Sequence, residues 1–349
     1  MGNDQYDDVH FENDDSSFIY TAIQILYKIN DFKNIIINDN PNNYSENQLW
    51  TSLKDIFQKD ENNLDLENNS KRIYKIITEK YHLKIGDSPG KILIQIFEIL
   101  NCEENGNNIN EIWEKSIMKN NNLIMNALDK DKAYNDFYKN YQKNNSGKIA
   151  KLLHGFLLTK RAIMNSMLMH FFNYYCVYEI NITSIAKEKN LAQNDKINLF
   201  DCINNLKTTK MDFFNNMNCL VEHHLYKLPK YLFFFINRED NSIAIDLHFG
   251  EDPDFSSLVY NDGNNNGKNC KYKLIFIIRQ KRYMVKKREK EKENDWYEEG
   301  NFDNNMNKFI AIQRELNDQY ISFDKNNYPQ KCNRNDEDYY INVLVYEKC

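Results

Sequence analysis

The chain has 349 residues, of which 41% are hydrophobic and 13% aromatic, which is enough apolar surface for a large folded core. Its formal net charge of −6 argues against broad nucleic-acid affinity, which normally requires a positively charged face. Apolar runs fall short of the roughly 20 residues that a membrane helix needs, and the acidic N-terminus lacks the pattern of a signal peptide. We therefore expect an intracellular protein without a membrane segment.

The cysteines are odd in number, scattered along the chain, and never spaced as Cys-x-x-Cys. With no export signal, this usage predicts reduced thiols and a location in the nucleus or the cytoplasm. The seven residues are Cys102, Cys176, Cys202, Cys219, Cys270, Cys332 and Cys349.

Helical periodicity dominates the N-terminal part of the chain. Asp15 or Ser16 is the expected N-cap of a first helix that ends at Asn30, and Ser88-Pro89 is typical of another helix start. A weaker helical pattern includes Phe137. The residues expected to face the core are Phe18, Ala22, Ile25, Leu26 and Ile29, then Leu49, Trp50, Leu53, Ile56 and Phe57, then Ile73, Ile76, Ile77 and Tyr81, then Ile92, Leu93, Ile96, Phe97 and Leu100.

The C-terminal part changes to a period of two, which is typical of strands. Two helical stretches interrupt it, one at 199–206 and one that includes Phe213, Phe214 and Met217. The predicted strands lie at 176–182, 243–249, 272–278 and 341–345.

One run differs from these strands because it has no polar alternation. Residues 231–236 are aromatic or aliphatic without interruption, and Asn237-Arg238 ends the run. Its shortness and aromatic content favour a strand over a helix, and the missing alternation predicts that both faces are covered. Helices followed by strands predict an α+β fold with an antiparallel sheet and helices packed at one side.

Several stretches resemble the sequence boxes of the ubiquitin-specific proteases (peptidase C19), the papain-like deubiquitinases. The segment 16–26 resembles the nucleophile box, and 228–232 followed by Arg238 resembles the central strand box. Residues 271–275, Tyr283, Trp296 and 341–346 follow the order of the histidine box and the last strand. The resemblance implies a flexible arm over 1–10 and one domain over 11–349, with a helical thumb (11–147) and antiparallel-sheet fingers and palm (148–349).

The same resemblance places unsuitable residues at the catalytic positions. Ser17 stands at the position of the thiol, and Arg282, which cannot accept a proton near neutral pH, stands at that of the histidine base. Gly300 or Asn301 takes the place of the orienting Asp or Asn. Glu12 takes that of the oxyanion-hole asparagine, where its charge would oppose an oxyanion. The resemblance therefore implies a pseudoenzyme with no catalytic residues.

The zinc-bearing fingers of the family also lack their ligands, so we expect neither metal nor cofactor. No cysteine pair occurs near 161–166 or around Cys219. Cys219 with His223 and His224 has a faintly metal-like spacing, but adjacent histidines do not easily reach one ion. We interpret these histidines as part of a solvent-facing helix and Cys219 as a core residue.

The turn at 86–87, the Lys-Leu-Pro spacing after the 199–206 helix and the segment 283–298 without histidine resemble the splicing-associated inactive branch of the family. That branch is a tri-snRNP component. Its N-terminal zinc-finger module has no counterpart in this sequence. The resemblance implies a nuclear scaffold whose partners are spliceosomal snRNP proteins, with ubiquitin as a second possible partner. We expect no direct binding to nucleic acid or to a membrane.

Three further hypotheses remain open. Arg279, Lys281, Arg282 and Trp296 are candidate partner-binding residues, because basic groups at a former catalytic cleft can hold an acidic segment. The protein can alternatively be an active deubiquitinase that uses a displaced nucleophile such as Cys102 or Cys176, or a ubiquitin receptor that does not hydrolyse.

Overall fold

A computed structural model of the chain describes residues 17–39, 48–59, 66–83, 88–107, 129–163, 167–192, 195–207, 210–214, 217–238, 245–260, 270–281, 309–315, 319–323, 329–332 and 339–349. Its helices are α1 (Ser17–Lys28), α2 (Asn30–Asn38), α3 (Gln48–Phe57), α4 (Leu66–Lys75), α5 (Pro89–Asn105), α6 (Lys130–Asn144), α7 (Lys148–Leu153), α8 (Ile182–Glu188) and α9 (Leu199–Lys207). A π-helical turn (Ile76–Lys80) extends α4, and a 3₁₀ turn spans Phe255–Ser257.

The strands form three sheets. They are β1 (Gly155–Ile163), β2 (Met167–Tyr175), β3 (Val177–Asn181), β4 (Lys196–Asn198), β5 (Lys210–Phe214), β6 (Met217–Lys227), β7 (Tyr231–Asn237), β8 (Asp246–His248), β9 (Tyr272–Lys281), β10 (Phe309–Arg314), β11 (Tyr320–Phe323), β12 (Pro329–Lys331) and β13 (Tyr339–Lys348). The strand orders are β12-β11-β10-β9-β13-β7-β3, β2-β1-β6-β5 and β4-β8.

Strand β7 carries the packing of the large sheet, as its unbroken apolar sequence predicts. Phe233 and Phe235 belong to the apolar cluster that includes α1, α3 and α5. Leu232, Phe234 and Ile236 belong to a second cluster on the opposite face, with α8 and α9. All five side chains are buried, and each large one stabilises the fold by about 1.5–3 kcal/mol. The prediction of a strand covered on both faces is confirmed.

The sheet is mixed rather than purely antiparallel. Strand β7 pairs antiparallel with β13 on one side and parallel with β3 on the other. The parallel pair is possible because α8, α9 and three strands intervene before the chain returns to β7. The predicted combination of helices with a largely antiparallel sheet is otherwise confirmed, but the prediction of helices at one side only is wrong. Helices α1, α3 and α5 cover one face of the large sheet, and α8 and α9 cover the other.

The four-stranded sheet has its own core beneath α6. Phe137 of α6 packs edge-on to Phe156 of β1, with ring centroids 5.2 Å apart, and Phe172 of β2 joins the same cluster. Six tyrosines pack around these three phenylalanine rings. They are Tyr134, Tyr138, Tyr141, Tyr174, Tyr226 and Tyr260.

Two consecutive glutamates near the end of α5 close the N-termini of other helices. Glu103 accepts hydrogen bonds from the backbone N–H groups of Leu49 (3.0 Å) and Trp50 (2.7 Å) at the start of α3. Glu104 accepts from the backbone N–H groups of Lys148 and Ile149 at the start of α7. The first N–H groups of a helix have no partner within that helix. Each glutamate of α5 therefore stabilises the N-terminus of the helix whose N–H groups it accepts.

The structure corrects several helix and strand predictions. The first helix ends at Lys28, and α2, which was not predicted, begins at Asn30. The helix predicted around Phe213, Phe214 and Met217 is wrong, because those residues lie in β5 and β6. Strands β1, β2, β4, β5, β6, β10, β11 and β12 and helices α7 and α8 were not predicted.

The close contact between α5 and β7 depends on Gly90. A Cβ atom added at Gly90 would lie 2.1 Å from Cδ2 of the buried Phe235 ring, a distance that real Cβ atoms do not show. The first turn of α5 therefore approaches β7 only because residue 90 has no side chain.

We predict that Gly90→Ala lowers the free energy of unfolding by about 1–3 kcal/mol or more, because the methyl group overpacks the core. Urea denaturation measures the loss. Gly106→Ala is the matched control, since Gly106 has φ +65° and open space around it, and its cost is the backbone cost of about 1–2 kcal/mol. Phe235→Leu should relieve part of the Gly90→Ala loss in a double-mutant cycle and none of the Gly106→Ala loss. Additive effects of Gly90→Ala and Phe235→Leu, with no coupling energy between them, would contradict the contact.

Candidate functional site

The predicted catalytic region begins at the N-terminus of α1. The helix starts at Ser17, and its predicted core residues, including Phe18, Ala22 and Leu26, are buried. One side of α1 packs on α5 and another on β10, so the sheet and the helical layer fix the direction of its axis. A group at the start of such a helix experiences the positive end of the helix dipole. Glu12 lies outside the described residues, and so does the Asp15 or Ser16 cap.

The second predicted part of the site follows β9. Arg282, Trp296, Gly300 and Asn301 lie outside the described residues, so the structure does not test the roles assigned to them. Strand β9 ends at Lys281, and its partner β10 begins at Phe309, which lies opposite Gln280.

Arg279 is the predicted partner-binding residue whose side chain the structure describes. It is only 4% exposed. Its neighbours along β9, Ile278 and Ile277, belong to the cluster under the helices and to the cluster on the opposite face, respectively. Because side chains alternate along a strand, Arg279 shares the face of Ile277, which is opposite the face that α1, α3 and α5 cover. This position argues against Arg279 as a contact for a partner in the groove between the helices and the sheet.

A β-bulge lies next to Arg279 and was not predicted. In β13, Ile341 pairs with Arg279 and Val343 pairs with Ile278, so Asn342 is an extra residue. The bulge places Ile341 and Val343 on opposite faces, whereas simple alternation predicts one face for both. Asn342 is 5% exposed, and its Oδ1 has no hydrogen-bond partner among the described residues. The only sequence signal was a polar residue inside an apolar strand.

The two cysteines considered as displaced nucleophiles lie in the core beside a carboxylate. The Cys176 Sγ atom is 3.9 Å from Oε1 of Glu98, to which the thiol can donate. Burial, and then the charge of Glu98, raises the pKa of Cys176 well above its usual range. Burial raises the pKa of Cys102 to about 12, and the charges of Glu98 and Glu103 add to the effect. Both residues are therefore neutral thiols near neutral pH, and a neutral thiol is a poor nucleophile.

Cys202 in α9 behaves in the same way. It is fully buried, and burial raises its pKa to about 12. None of the seven cysteines lies at the start of α1, where the dipole would favour a thiolate.

The Cys219, His223 and His224 group lies on strand β6 and not on a solvent-facing helix, so that helix prediction is wrong. Adjacent residues of a strand point to opposite faces, which explains why the two histidines have different partners. His223 Nδ1 is 2.9 Å from the Thr159 hydroxyl, and His224 Nε2 is 3.2 Å from Glu222. Cys219 is 1% exposed, which confirms its prediction as a core residue.

Within the part of the chain that the structure describes, no group of three or more His, Cys, Asp or Glu side chains has an arrangement that could hold a metal ion. The helices of the same part include none that is both long and apolar enough to cross a membrane.

No family model and no curated protein matches the chain in sequence. Solved structures do resemble it in fold. A chain of the yeast SAGA DUB module containing a Sgf73 mutant has a TM-score of 0.58 at 11% identity, covering 96% of this chain and 67% of that one. A chain of the SAGA Ubp8/Sgf11/Sus1/Sgf73 DUB module has a TM-score of 0.59 at 12% identity, covering 97% of this chain and 67% of that one.

The version of that module whose Sgf11 lacks its zinc finger gives a TM-score of 0.61 at 12% identity and covers 100% of this chain and 71% of the other. The likeness in fold therefore extends over nearly all of this chain, although the sequence identity is only 11–12%. The chain has a ubiquitin-specific-protease-like fold.

Proposed function

We propose that this protein is catalytically inactive and uses a ubiquitin-specific-protease-like fold as a protein-binding scaffold. The observation that carries the proposal is the residue at the start of α1, which is Ser17, while all seven cysteines lie elsewhere in the fold. Thiol catalysis in this fold needs a thiolate at that helix N-terminus with a histidine beside it. A serine depends wholly on its base, and the arginine assigned to the position of the base cannot accept a proton.

The main alternative, an active deubiquitinase with a displaced nucleophile, has less support. Cys102 interacts with Glu98, Glu103 and tyrosines, and Cys176 lies against Glu98. A carboxylate next to a thiol raises the thiol pKa, whereas a catalytic thiol needs a positively charged or histidine neighbour to lower it. The surroundings of both cysteines therefore oppose the chemistry that this alternative requires.

We assign the scaffold to the nuclear splicing machinery, with snRNP proteins of the tri-snRNP as its partners. The Lys-Leu-Pro segment after α9 and the segment 283–298, which has no histidine, support this branch. The structural neighbours are chains of a multi-protein module, which supports the role of this fold as a protein-binding platform. A ubiquitin receptor that does not hydrolyse is the second candidate, because the fold is that of a deubiquitinase module.

Purified protein incubated with ubiquitin carrying a C-terminal fluorogenic leaving group should release no fluorophore above the buffer rate. The physical reason is that burial raises the pKa of the Cys102, Cys176 and Cys202 thiols, which opposes thiolate formation. Addition of iodoacetamide should change nothing. Turnover that iodoacetamide abolishes would overturn the scaffold proposal in favour of the displaced-nucleophile enzyme.

Affinity purification of the tagged protein from nuclear extract should enrich small-nuclear ribonucleoprotein proteins, identified by mass spectrometry, over a tag-only control. Enrichment of ubiquitin conjugates without snRNP proteins would favour the receptor and contradict the splicing assignment.

A further inference from the structure

A cavity of about 160 Å³ lies where α6, α7 and the end of β6 meet. Tyr138, Tyr141 and Gln142 from the C-terminal half of α6 form one wall, and Lys151 of α7 and Lys227 of β6 stand on the others. It belongs to the aromatic core of the four-stranded sheet and is distinct from the predicted catalytic region at the start of α1.

The cavity is basic although the whole chain carries a net charge of −6. Lys151 and Lys227 are both exposed, and none of the described residues that line the cavity is acidic. The ammonium of Lys227 lies 5.0 Å from the centroid of the Phe156 ring, which holds it over an aromatic face. Lys151 has no acidic partner within the described ranges, so its charge is free to attract a negative group.

A buried histidine lines the same cavity and has an unsatisfied atom. His154 is 3% exposed, its ring stacks on Tyr174, and its Nδ1 lies 3.2 Å from the Tyr141 hydroxyl. Burial lowers the pKa of His154 to about 3, so the ring is neutral at physiological pH. Its Nε2 is buried and has no hydrogen-bond partner in the described part of the chain. Such an atom costs stability, and a guest with polar oxygens can offset that cost.

The rim of the cavity is held in place by hydrogen bonds. The Asn145 side chain donates to the Tyr141 carbonyl (3.0 Å) and accepts from the Asn101 amide (2.7 Å). The Ser146 hydroxyl and backbone N–H each lie 3.2 Å from Oδ1 of Asn105. A site whose walls are already ordered loses little conformational entropy when a guest binds.

We propose that this cavity is a docking pocket for an acidic side chain presented by a partner protein. The inference deepens the proposed scaffold function and rests on it for the source of the guest. Lys151 and Lys227 pair with the carboxylate, the Tyr138 and Tyr141 rings pack against its methylene groups, and the Tyr138 hydroxyl and the Gln142 amide supply further hydrogen bonds. The two lysines of the cavity attract an acidic guest, whereas the net negative charge of the rest of the protein repels such a guest from other sites.

Fluorescence polarisation with a fluorescein-labelled Gly-Gly-Glu-Glu-Gly-Gly peptide tests the pocket on the full chain. Wild type should bind this peptide saturably, and it should not bind the matched peptide in which both glutamates are glutamines. The pair Lys151→Glu and Lys227→Glu should weaken binding by about tenfold or more. Lys139→Glu with Lys143→Glu makes the same charge change on exposed positions of α6 outside the cavity and should change affinity by less than about twofold at physiological salt.

Three results would each overturn the pocket. They are an equal loss of peptide affinity in both lysine pairs, equal affinity of wild type for the glutamine peptide, and no saturable binding of the glutamate peptide to wild type. Free glutarate is a competitor in the same assay. If it displaces the peptide with a dissociation constant as low as that of the peptide itself, the cavity is a small-molecule site and the docking inference is wrong. All four substitutions are at exposed lysines, and circular dichroism confirms that the variants fold. Turnover of fluorogenic ubiquitin by the same preparation would overturn the scaffold proposal without affecting the peptide result.

Discussion

Burial of strand β7 on both faces is the constraint on which the architecture depends. Its side chains alternate between two apolar clusters, so one short strand joins the helical layer to the helices on the far side of the sheet. The Phe233 ring packs edge-on to Phe97 of α5, with centroids 5.1 Å apart, and Phe235 fills the space that Gly90 leaves open. At the start of the strand, Lys230 forms an ion pair with Asp31 of α2, and the Tyr231 hydroxyl lies 3.0 Å from the same carboxylate. The helical layer is thus attached to β7 by apolar contacts along its length and by polar contacts at its beginning.

The sequence predicts the elements whose pattern is local and strong. The α1 face, the Ser88 cap and the β7 run each appear in the structure because one residue period or one cap decides them. Strand β9 was also predicted, but its alternation on a single face is wrong: Tyr272 and Leu274 lie in one apolar cluster and Phe276 and Ile278 in the other. The register shifts at Ile275, which is an extra residue in the pairing with β13. Strands β1 and β2 were missed because α6 covers only part of their sheet, so the half-buried Lys160 and the exposed Leu168 break the pattern. Strand β10 is short, and it forms by pairing with β9 and β11. The sequence of β10 alone does not reveal these partners. The Asn342 bulge has no local signature beyond one polar residue.

The candidate site was predictable only in part, because some of its geometry depends on strand register and on contacts between distant elements. Ser17 was correctly placed at the start of a helix, because the apolar period begins there. The position of Arg279 on the far face depends on the register of β9, and a one-residue shift would have placed it under the helices. The cavity beside Lys151 could not be found from the sequence, because its walls come from α6, α7 and β6, which are brought together only by folding. In the folded structure, the cavity is recognised because lysines and aromatic rings line it and none of the described carboxylates does.

The environments of Cys102 and Cys176, the two candidate displaced nucleophiles, connect the fold to the proposed function. Burial and neighbouring carboxylates keep Cys102 and Cys176 protonated, and these cysteines serve as small apolar side chains within the core. A ubiquitin whose C-terminus carries an alkyne electrophile tests this account most directly, because it forms a covalent adduct with an active-site thiolate of a deubiquitinase and reacts poorly with buried thiols. The account predicts that the intact mass of the protein stays unchanged after incubation with this reagent. A mass increase of one ubiquitin, mapped to any of the seven cysteines and lost on its substitution by alanine, would contradict it.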